Sequence, residues 1–427
     1  MKTTFHPMKW AIWALAAFFY FYEYFLRVAP SVMVPELMSA FSVNATAIGA
    51  LSAFYFYIYA PMQLPVGVLT DKYGARKLLA FASASAGLGA VLFAIATNFW
   101  VAALGRILMG GASAFGFIGL VYICSHWFPE NKRGILIGLG SSIGMVGAVM
   151  GEGPLRKLID IFGWRSANLQ LGILGLVIGA IIYIVVRNDP PEMVKYDEKM
   201  KKTPPAHILE NLGIVCKNGY SWVIALLSLF IMLATPGFAG LWGIPFIHAT
   251  YGISIELAGY AVSMIFIGWA VGGPVIGKLS DHLEQKKPLL IFSSLLGALL
   301  MAAIVYVPNL PLFGLFILFF FLGFVSGAQL LTYSYAIDIN PEKVKATAAA
   351  FTNFITYVGG ALVQPFVGFL LDANWTGKME NGIRIYSPDA YKIALTCFPA
   401  AFLISAILGI FLKKSPHPKT IWQKYFS

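Results

Sequence analysis

Charged side chains inside long apolar stretches are the residues of this sequence with the clearest chemical potential. Glu23 and Arg27 lie four positions apart in the first such stretch, so a helix places them on one face and close enough to pair. Arg106 and Glu152 lie in two later stretches. If these stretches cross a membrane, a charge there costs roughly 2.5 to 3.5 kcal/mol. Each of the four therefore needs a partner or a function.

Glu23 and Arg27 belong to a polar stripe that also includes Tyr20 and Tyr24 on an otherwise apolar segment. We predict that Arg27 binds a carboxylate of a small solute, with Tyr24 beside it. Glu23 is then predicted to carry a proton or to bind an amine of the solute. The alternative is an ion pair that only stabilises packing.

Arg106 and Glu152 have more than one interpretation each. Arg106 is a candidate for supporting solute binding or proton coupling, and it is equally well placed to hold its helix to the first one through Glu23. Glu152 is a further proton-coupling candidate, but Arg156 follows it by four residues, so a salt bridge at a helix end is the favoured interpretation.

These side chains must be positioned by membrane helices. Hydrophobic residues make up 59% of the 427 positions and charged residues 11%, which a water-soluble domain of this size would not show. About 20 apolar residues are needed to cross a bilayer. The sequence predicts twelve such spans, at 9–34, 45–66, 78–97, 100–126, 135–156, 167–187, 220–247, 255–277, 289–307, 311–337, 347–371 and 391–413.

The net charge of +11 follows the positive-inside rule. With a cytoplasmic N-terminus, segments on that side contain 22 of the 30 Lys and Arg residues, and the opposite side contains 6. Both termini are therefore predicted to be cytoplasmic, and the charge does not indicate a nucleic-acid partner. A proline-rich basic segment divides the chain into an N-terminal bundle at 1–187, a cytoplasmic linker at 188–219, and a C-terminal bundle at 220–427 with a short cytoplasmic tail.

A short loop motif occurs once in each half of the chain. The first copy, GVLTDKYGARK, follows the second span, and GKLSDHLEQKK follows the eighth. Gly67 and Asp71 have counterparts 210 residues later in Gly277 and Asp281, and upstream Gly49 has its counterpart in Gly259. Such spacing indicates a duplicated six-span unit. We predict that these loops latch helix ends in one conformation and release them in another, through Gly67, Asp71, Lys72, Gly74, Arg76, Lys77, Gly277, Asp281, Lys286 and Lys287.

With these motifs the whole chain resembles the major facilitator superfamily, to which the first loop and Arg106-x-x-x-Gly110 are similar. The resemblance implies an all-α membrane protein with twelve helices in two six-helix bundles, related by a pseudo-two-fold axis, and a central site with alternating access. The first two spans resemble the organic anion:cation symporter branch in Tyr24, Arg27, Pro30, Ser31, Tyr57, Tyr59, Gln63, Pro65 and Gly67. That branch usually has an aspartate where this chain has Leu26, and often a carboxylate at the position of Ser113.

Neutral residues complete the predicted cavity. Span seven, the counterpart of span one, contains Trp242 and a helix-breaking Pro236. Tyr55, Tyr57 and Tyr59 alternate around span two, so only some can face inward. The sequence-predicted substrate contacts are Glu23, Tyr24, Arg27, Tyr57, Trp242, Gln329, Tyr333, Asn353 and Tyr357.

The leading hypothesis is a secondary active transporter for a small carboxylate-bearing nutrient, such as an organic anion, an amino acid or a short peptide, driven by protons. A uniporter for the same substrates and an efflux pump for drugs or metabolites are the alternatives, and a substrate-sensing receptor on a transporter fold is a third. No enzyme activity, cofactor or metal site is predicted. We expect a monomer in the lipid bilayer of a bacterial inner membrane.

Overall fold

Long apolar helices make up nearly all of the computed structural model, which describes residues 7–190 and 208–413. Twelve of them are long and apolar enough to cross a membrane, as predicted. We number them as spans one to twelve: Met8–Val32, Ala45–Met62, Ala75–Ile95, Phe99–Trp127, Glu130–Met150, Trp164–Val185, Gly219–Tyr251, Ile255–Leu283, Lys287–Tyr306, Leu312–Asp338, Glu342–Ala373 and Pro388–Phe411. The chain is therefore an integral, multi-pass membrane protein.

Several spans change helix type near the middle of the molecule. Span one is an α-helix at Pro7–Val28 that continues as a 3₁₀ turn at Ala29–Val32, because Pro30 has no N–H to donate to the preceding turn. Span seven contains a π-helix at Thr235–Trp242, which begins beside Pro236. Its flanking α-helices are Gly219–Met232 and Gly243–Tyr251. The break predicted from Pro236 is therefore confirmed.

Spans ten, eleven and twelve are also composite. Span ten consists of Leu312–Ser326, Gly327–Gln329 and Leu330–Asp338, span eleven of Glu342–Val344 and Lys345–Ala373, and span twelve of Pro388–Leu395 and Cys397–Phe411. Within residues 7–190 and 208–413, four shorter helices lie outside the spans, at Val34–Phe41, Val66–Tyr73, Gly153–Phe162 and Ile208–Lys217. A small hairpin pairs Met379–Glu380 with Ile383–Arg384.

Predicted span boundaries differ from the structure by up to six residues, which is the difference at the ends of spans five and eight. Span five was expected to reach residue 156, but it ends at Met150, and a separate helix with a strongly one-sided apolar face starts at Gly153. The predicted linker 188–219 includes the helix Ile208–Lys217, while residues 191–207 lie outside the described part of the chain. Most of the predicted C-terminal tail, residues 414–427, also lies outside it.

The duplication predicted from the loop motif is matched by helix packing. A side chain at Gly110 in span four would collide with the backbone carbonyl of Tyr55 in span two. In the second half, a side chain at Gly323 in span ten would collide with the carbonyl of Ile265 in span eight, and Ile265 lies 210 residues after Tyr55. Glycine is required at both crossings because the helix backbones touch.

The two bundles touch along two seams. Since twelve spans return the chain to its starting side, we call the side of Pro7 and Lys413 the terminal side and the opposite one the far side. On the far side, span two packs against span eleven and span five against span eight. On the terminal side the bundles separate around a cavity of about 350 Å³, lined by residues such as Tyr20, Gly134, Tyr333 and Asn353. The described conformation is closed at the far side.

Candidate functional site

An ion pair between Glu23 and Arg27 lies at the centre of the molecule. Arg27 occupies the last turn of the Pro7–Val28 helix, and its side chain reaches back one turn to Glu23. Nη2 of Arg27 lies 2.9 Å from Oε2 and 3.2 Å from Oε1 of Glu23. Glu23 is fully buried, and Arg27 is 7% exposed. The pairing predicted from the four-residue spacing is therefore present.

Tyrosine rings enclose the guanidinium group of Arg27. Its central carbon lies 4.1 Å from the ring centre of Tyr24 and 4.6 Å from that of Tyr59. The rings of Tyr55 and Tyr357 are each 5.4 Å away. Cation–π contacts of this kind stabilise a charge that has left water, by about 0.5 to 2 kcal/mol each. The tyrosines therefore offset part of the cost of burying Arg27.

Two of these tyrosines also complete the hydrogen bonding of the pair. Arg27 donates from Nε to Oη of Tyr55 at 3.2 Å and from Nη1 to Oη of Tyr357 at 3.3 Å. Tyr55 in turn donates to Oε2 of Glu23 at 2.8 Å. Tyr357 belongs to span eleven, whereas the other three residues belong to the N-terminal bundle. The site therefore joins the two bundles, as alternating access requires.

Arg106 holds span four to spans one and two through backbone carbonyls. Instead of binding Glu23, its guanidinium donates to the backbone carbonyls of Leu26, Arg27 and Ser52 at 2.8, 3.2 and 3.3 Å. The Leu26 carbonyl lacks its usual helical donor, because the residue four positions later is Pro30. Arg106 supplies that donor and holds the turn that positions Arg27. Its hydrogen bonds thus indicate a positioning role.

Span four passes close to Glu23. A side chain at Gly116 would lie 3.3 Å from Cγ of Glu23, and the Ser113 hydroxyl lies beside the same carboxyl group. Glu23 therefore places a carboxylate of span one beside Ser113 of span four.

A second polar cluster lies nearer the terminal side. Nε2 of Gln329 donates to Oη of Tyr333 at 2.6 Å, and Tyr333 donates to Oδ1 of Asn353 at 2.7 Å. Nδ2 of Asn353 then donates to Oε1 of Gln63 at 2.9 Å, across the two bundles. All four residues line the terminal-side cavity, as do Tyr20, Tyr24, Tyr59 and Tyr357. Three of the four residues predicted from spans ten and eleven are thus brought together in one wall, and the fourth, Tyr357, binds Arg27.

A narrow chamber continues from this cavity past Arg27. Among its lining residues, Thr235, Trp269 and Gln364 each have a buried polar atom without a hydrogen-bond partner in the described structure. The atoms are Oγ1 of Thr235, Nε1 of Trp269 and Oε1 of Gln364. Single polar residues in apolar spans gave no sequence signal that separated them from helix packing. Buried polar groups without partners are rare in folded proteins, which makes these three candidate ligand contacts.

Three sequence predictions for site residues need correction. Tyr57 was expected to face the cavity, but its side chain is 43% exposed on the outside of the bundle, where it contacts Phe54. Trp242 is buried on the far side, where its Nε1 donates to the carbonyl of Gln364 at 2.9 Å. It lines a separate far-side cavity of about 520 Å³. Glu152 makes no salt bridge with Arg156, which instead binds Glu36.

The contrasting positions of Tyr57 and Tyr59 give a matched pair of variants. Tyr59→Ala removes a ring 4.6 Å from the charge of Arg27. We expect it to raise the KM for uptake in liposomes about tenfold, from the loss of one desolvated cation–π contact. Tyr57→Ala removes a ring of the same size on the exposed side of the same helix, so the KM should stay within about twofold of wild type. Equal effects would contradict the placement of Arg27 in the binding site.

The repeated loops are not engaged between the bundles in this conformation. Asp71 and Asp281 are both exposed on the terminal side. No atom lies within 4 Å of where a side chain at Gly67 or Gly277 would begin, so the close helix approach expected at these glycines is absent here. Gly74, in contrast, has φ +77° and abuts Asn188, which only glycine permits without strain.

The basic residues of the loops bind within their own bundles. Nε of Arg76 donates to the carbonyl of Tyr183 at 2.8 Å. Lys286 donates to Ser334 at 2.6 Å and pairs with Asp338, and Lys287 donates to the carbonyls of Ile410 and Leu412 at 2.6 Å. Lys72 lies over the ring of Tyr73, and Lys77 is exposed. The latch therefore remains a prediction for the opposite conformation.

That prediction is tested by comparing the two aspartates. The second loop lacks the second glycine, and its Lys286 is already bound within its own bundle. We expect Asp71→Asn to lower the initial rate of uptake about two- to tenfold, the net value of one ordinary hydrogen bond, because asparagine keeps an acceptor and loses only the charge, and Asp281→Asn to lower it less. The measurement is the initial rate of uptake by the wild type and by each variant at equal expression. Equal or reversed effects would count against the latch.

Comparison with known proteins identifies similar sequences and folds. The profile of the Major Facilitator Superfamily matches residues 14–364 and 237–419. A "Membrane sensor protein UhpC" of Salmonella typhimurium is 24% identical, over 86% of this chain and 85% of that protein. A "Glycerol-3-phosphate transporter" of Bacillus subtilis is 23% identical, over 83% and 84%. An "Uncharacterized transporter YybO" of Bacillus subtilis is 31% identical, but over only 40% of this chain and 39% of its own length.

A solved structure supports the same conclusion about the fold. A bacterial homologue of the human lysosomal transporter Spinster, in an inward-facing and unoccupied conformation, superposes with a TM-score of 0.74. The superposition covers 95% of this chain and 96% of that one, at 18% identity. At this identity the match shows a shared fold of two six-helix bundles.

Proposed function

Because the chain belongs to the Major Facilitator Superfamily and is a secondary transporter of that type, we propose that it carries a small carboxylate-bearing nutrient, driven by protons. The observation that carries this proposal is the buried pair of Glu23 and Arg27, enclosed by tyrosines from both bundles. A substrate must compete for that pair in order to occupy the centre of the molecule.

Arg27 is suited to a carboxylate. Among the described residues that line the chamber and the terminal-side cavity, it is the only one with a charged side chain. A guanidinium group presents parallel N–H groups that match the two oxygens of a carboxylate. Nη1 of Arg27 has two such groups, and one of them donates to Tyr357. A substrate carboxylate would bind Nη1 and replace Glu23 at Nη2.

Proton coupling follows from what then happens to Glu23. Arg106 cannot replace Arg27 as its partner, because its guanidinium is held by three backbone carbonyls. A fully buried carboxylate without a cation costs several kcal/mol, and about 3 to 5 kcal/mol is typical when a buried pair loses one partner. Glu23 avoids this cost by taking up a proton. Binding of the anion and binding of the proton therefore favour each other.

The charges of Arg27 and Glu23 also favour a singly charged substrate. A phosphate monoester brings a charge of about −1.5 to −2 at neutral pH. Arg27 is one cation, and it is already matched by Glu23. The relative named for glycerol-3-phosphate shares the fold, but the central charges described here suit a carboxylate monoanion better than a phosphorylated compound.

The second candidate substrate is a zwitterion. The residue that favours it is Glu23. An amino acid or short peptide has an amine that can bind Glu23 while its carboxylate binds Arg27. The pair is then replaced by two substrate charges, and no proton is required. Such a substrate would be carried by facilitated diffusion, which is the uniporter alternative.

A sensor is a candidate from another class, because one of the relatives is named a membrane sensor protein and matches over 86% of this chain. A sensor binds its ligand at the same pair without moving it across the membrane. Uptake into liposomes separates the two functions, because a transporter accumulates a ligand that a sensor only binds.

The setting of this transport is also part of the proposal. We place the protein in a bacterial inner membrane with both termini in the cytoplasm, on the basis of its charge asymmetry, and we expect a monomer. The terminal-side cavity then faces the cytoplasm, and the closed far side faces outward.

A ligand screen by thermal unfolding tests the substrate class. Purified protein would be heated with aldonates, dicarboxylates, amino acids, dipeptides, hexose 6-phosphate and glycerol 3-phosphate. A ligand at 100 times its Kd stabilises the folded state by about 2.7 kcal/mol. We expect carboxylates to stabilise the wild type but not Arg27→Gln. Stabilisation by the phosphates alone would contradict the proposal.

A further inference from the structure

Glu152 is a buried carboxyl group that the central site does not use. Its side chain is fully buried, and neither of its oxygens has a hydrogen-bond partner in the described structure. It occupies the break between the helices Glu130–Met150 and Gly153–Phe162, with φ −110° and ψ −106°. An ionised carboxylate buried in this way, without a hydrogen-bond partner, is among the least favourable groups in a protein interior.

The break lies in the far-side seam between the bundles. A side chain at Gly151 would lie 2.7 Å from the carbonyl oxygen of Phe25 in span one. A side chain at Gly153 would lie 2.7 Å from the ring of Tyr260, and one at Gly259 would lie 2.7 Å from the backbone nitrogen of Gly153. Tyr260 and Gly259 belong to span eight. Glu152 is thus buried where the N-terminal bundle closes on the C-terminal one.

The repeat places a matching contact in the second seam. Gly49, the counterpart of Gly259, packs against the backbone of Gln364 in span eleven. Gly49 and Gly259, which the duplication relates, therefore each lie in one of the two far-side seams. A movement that opened one far-side seam would also separate the other, and it would bring Glu152 into contact with water.

The charged and titratable groups on the elements packed against Glu152 do not pair with it. Arg156, one turn on, donates to the carbonyl of Val32 and pairs with Glu36 and Asp160, at 2.9, 2.6 and 2.6 Å. Span eight contributes Glu256 and Tyr260, and span one contributes the paired Glu23 and Arg27. None of them makes an ion pair or hydrogen bond with Glu152 in the described structure.

We propose that Glu152 is a second proton-binding site, which holds a proton while the far-side seam is closed and releases it when the seam opens. In the closed seam the neutral form is favoured, because an ionised carboxylate there has no counter-ion. In the open seam water stabilises the ionised form. A proton that binds one conformation more tightly shifts the equilibrium toward it, so acid favours the far-side-closed state and alkali favours opening.

This site is independent of the substrate, so it is tested without transport. Spin labels at Lys157→Cys and Val307→Cys, two exposed far-side positions on opposite bundles, report the distance across the seam by pulsed electron paramagnetic resonance. Cys124, Cys216 and Cys397 are first replaced by alanine. Between pH 8 and pH 5 the open-to-closed ratio should fall by up to about tenfold per pH unit, the limit for one proton.

Glu152→Gln should hold the seam closed at both pH values, because its side chain is neutral throughout. Glu36→Gln, a control at a neighbouring carboxylate, should retain the pH response. If Glu152→Gln does not fold, Glu152→Leu provides a second neutral side chain. The proposal is overturned if the wild type shows no pH response, if Glu152→Gln responds like the wild type, or if the response disappears in Glu23→Gln and persists in Glu152→Gln.

Discussion

Replacing Arg27 by glutamine is expected to abolish uptake of the carboxylate substrate in proteoliposomes. The variant loses the only cation among the described lining residues of the cavity, and it leaves Glu23 buried without its partner. Breaking a buried ion pair costs about 3 to 5 kcal/mol, so we expect at least a hundredfold loss in kcat/KM for uptake. Initial rates of labelled substrate uptake provide the measurement.

Loss of folding would give the same loss of uptake, and a double variant distinguishes the two. Glu23→Gln with Arg27→Gln removes both buried charges together, so the folded protein should recover its thermal stability. Uptake should remain absent, because no cation binds the carboxylate. Recovery of uptake in the double variant would show that Arg27 is structural. Unchanged transport of neutral amphiphilic compounds by the single variant would instead favour an efflux pump.

Replacing Glu23 by glutamine should separate binding from proton coupling. Glutamine keeps a hydrogen-bond acceptor for Tyr55 and leaves Arg27 available to the substrate carboxylate. We expect exchange of labelled for unlabelled substrate to persist within about tenfold of wild type, while accumulation driven by a proton gradient falls to equilibrium. The reason is that the neutral amide needs no proton when the anion binds.

The position of Ser113 provides a rescue for this variant. Ser113, on span four, lies beside Glu23, so a glutamate at that position would bring a carboxylate to the same place. Ser113→Glu combined with Glu23→Gln should therefore restore gradient-driven accumulation in part. If Glu23→Gln abolishes exchange as well, Glu23 binds the substrate directly, and the zwitterion candidate is favoured over a proton-coupled anion.

Much of the architecture was predictable because the bilayer limits what a chain can do. Twelve apolar stretches of sufficient length cross as helices, and each one was found with its ends no more than six residues from the predicted ones. The pairing of Glu23 with Arg27 was predictable because a four-residue spacing fixes both side chains on one helical face.

The roles of other side chains depended on which way each helix is turned. Span two is apolar on every side, so its sequence does not show that Tyr55 and Tyr59 face inward while Tyr57 faces outward. One of the two interpretations of Arg106 has it bind Glu23, but Pro30 leaves a backbone carbonyl unpaired within its reach, and Arg106 binds that carbonyl. Such contacts depend on three-dimensional placement, not on spacing along the chain.

Glu152 is another residue whose contacts the spacing along the chain does not predict. A four-residue spacing to Arg156 predicted a salt bridge, yet the helix breaks at Glu152, so the two residues are not on one continuous helix. The break follows from Gly151, Gly153 and Pro154, which disfavour a continuous helix, and Arg156 pairs with Glu36 instead. Spacing rules hold only where the helix is unbroken.

The account is tested most directly by uptake of the stabilising carboxylate into proteoliposomes, with and without an inward proton gradient. The binding of an anion at Arg27 together with a proton on Glu23 predicts accumulation well above the external concentration when the outside is acidic, and equilibration when the gradient is collapsed by an ionophore. An accumulation ratio that never exceeds one, whatever the gradient, would contradict the proposed coupling.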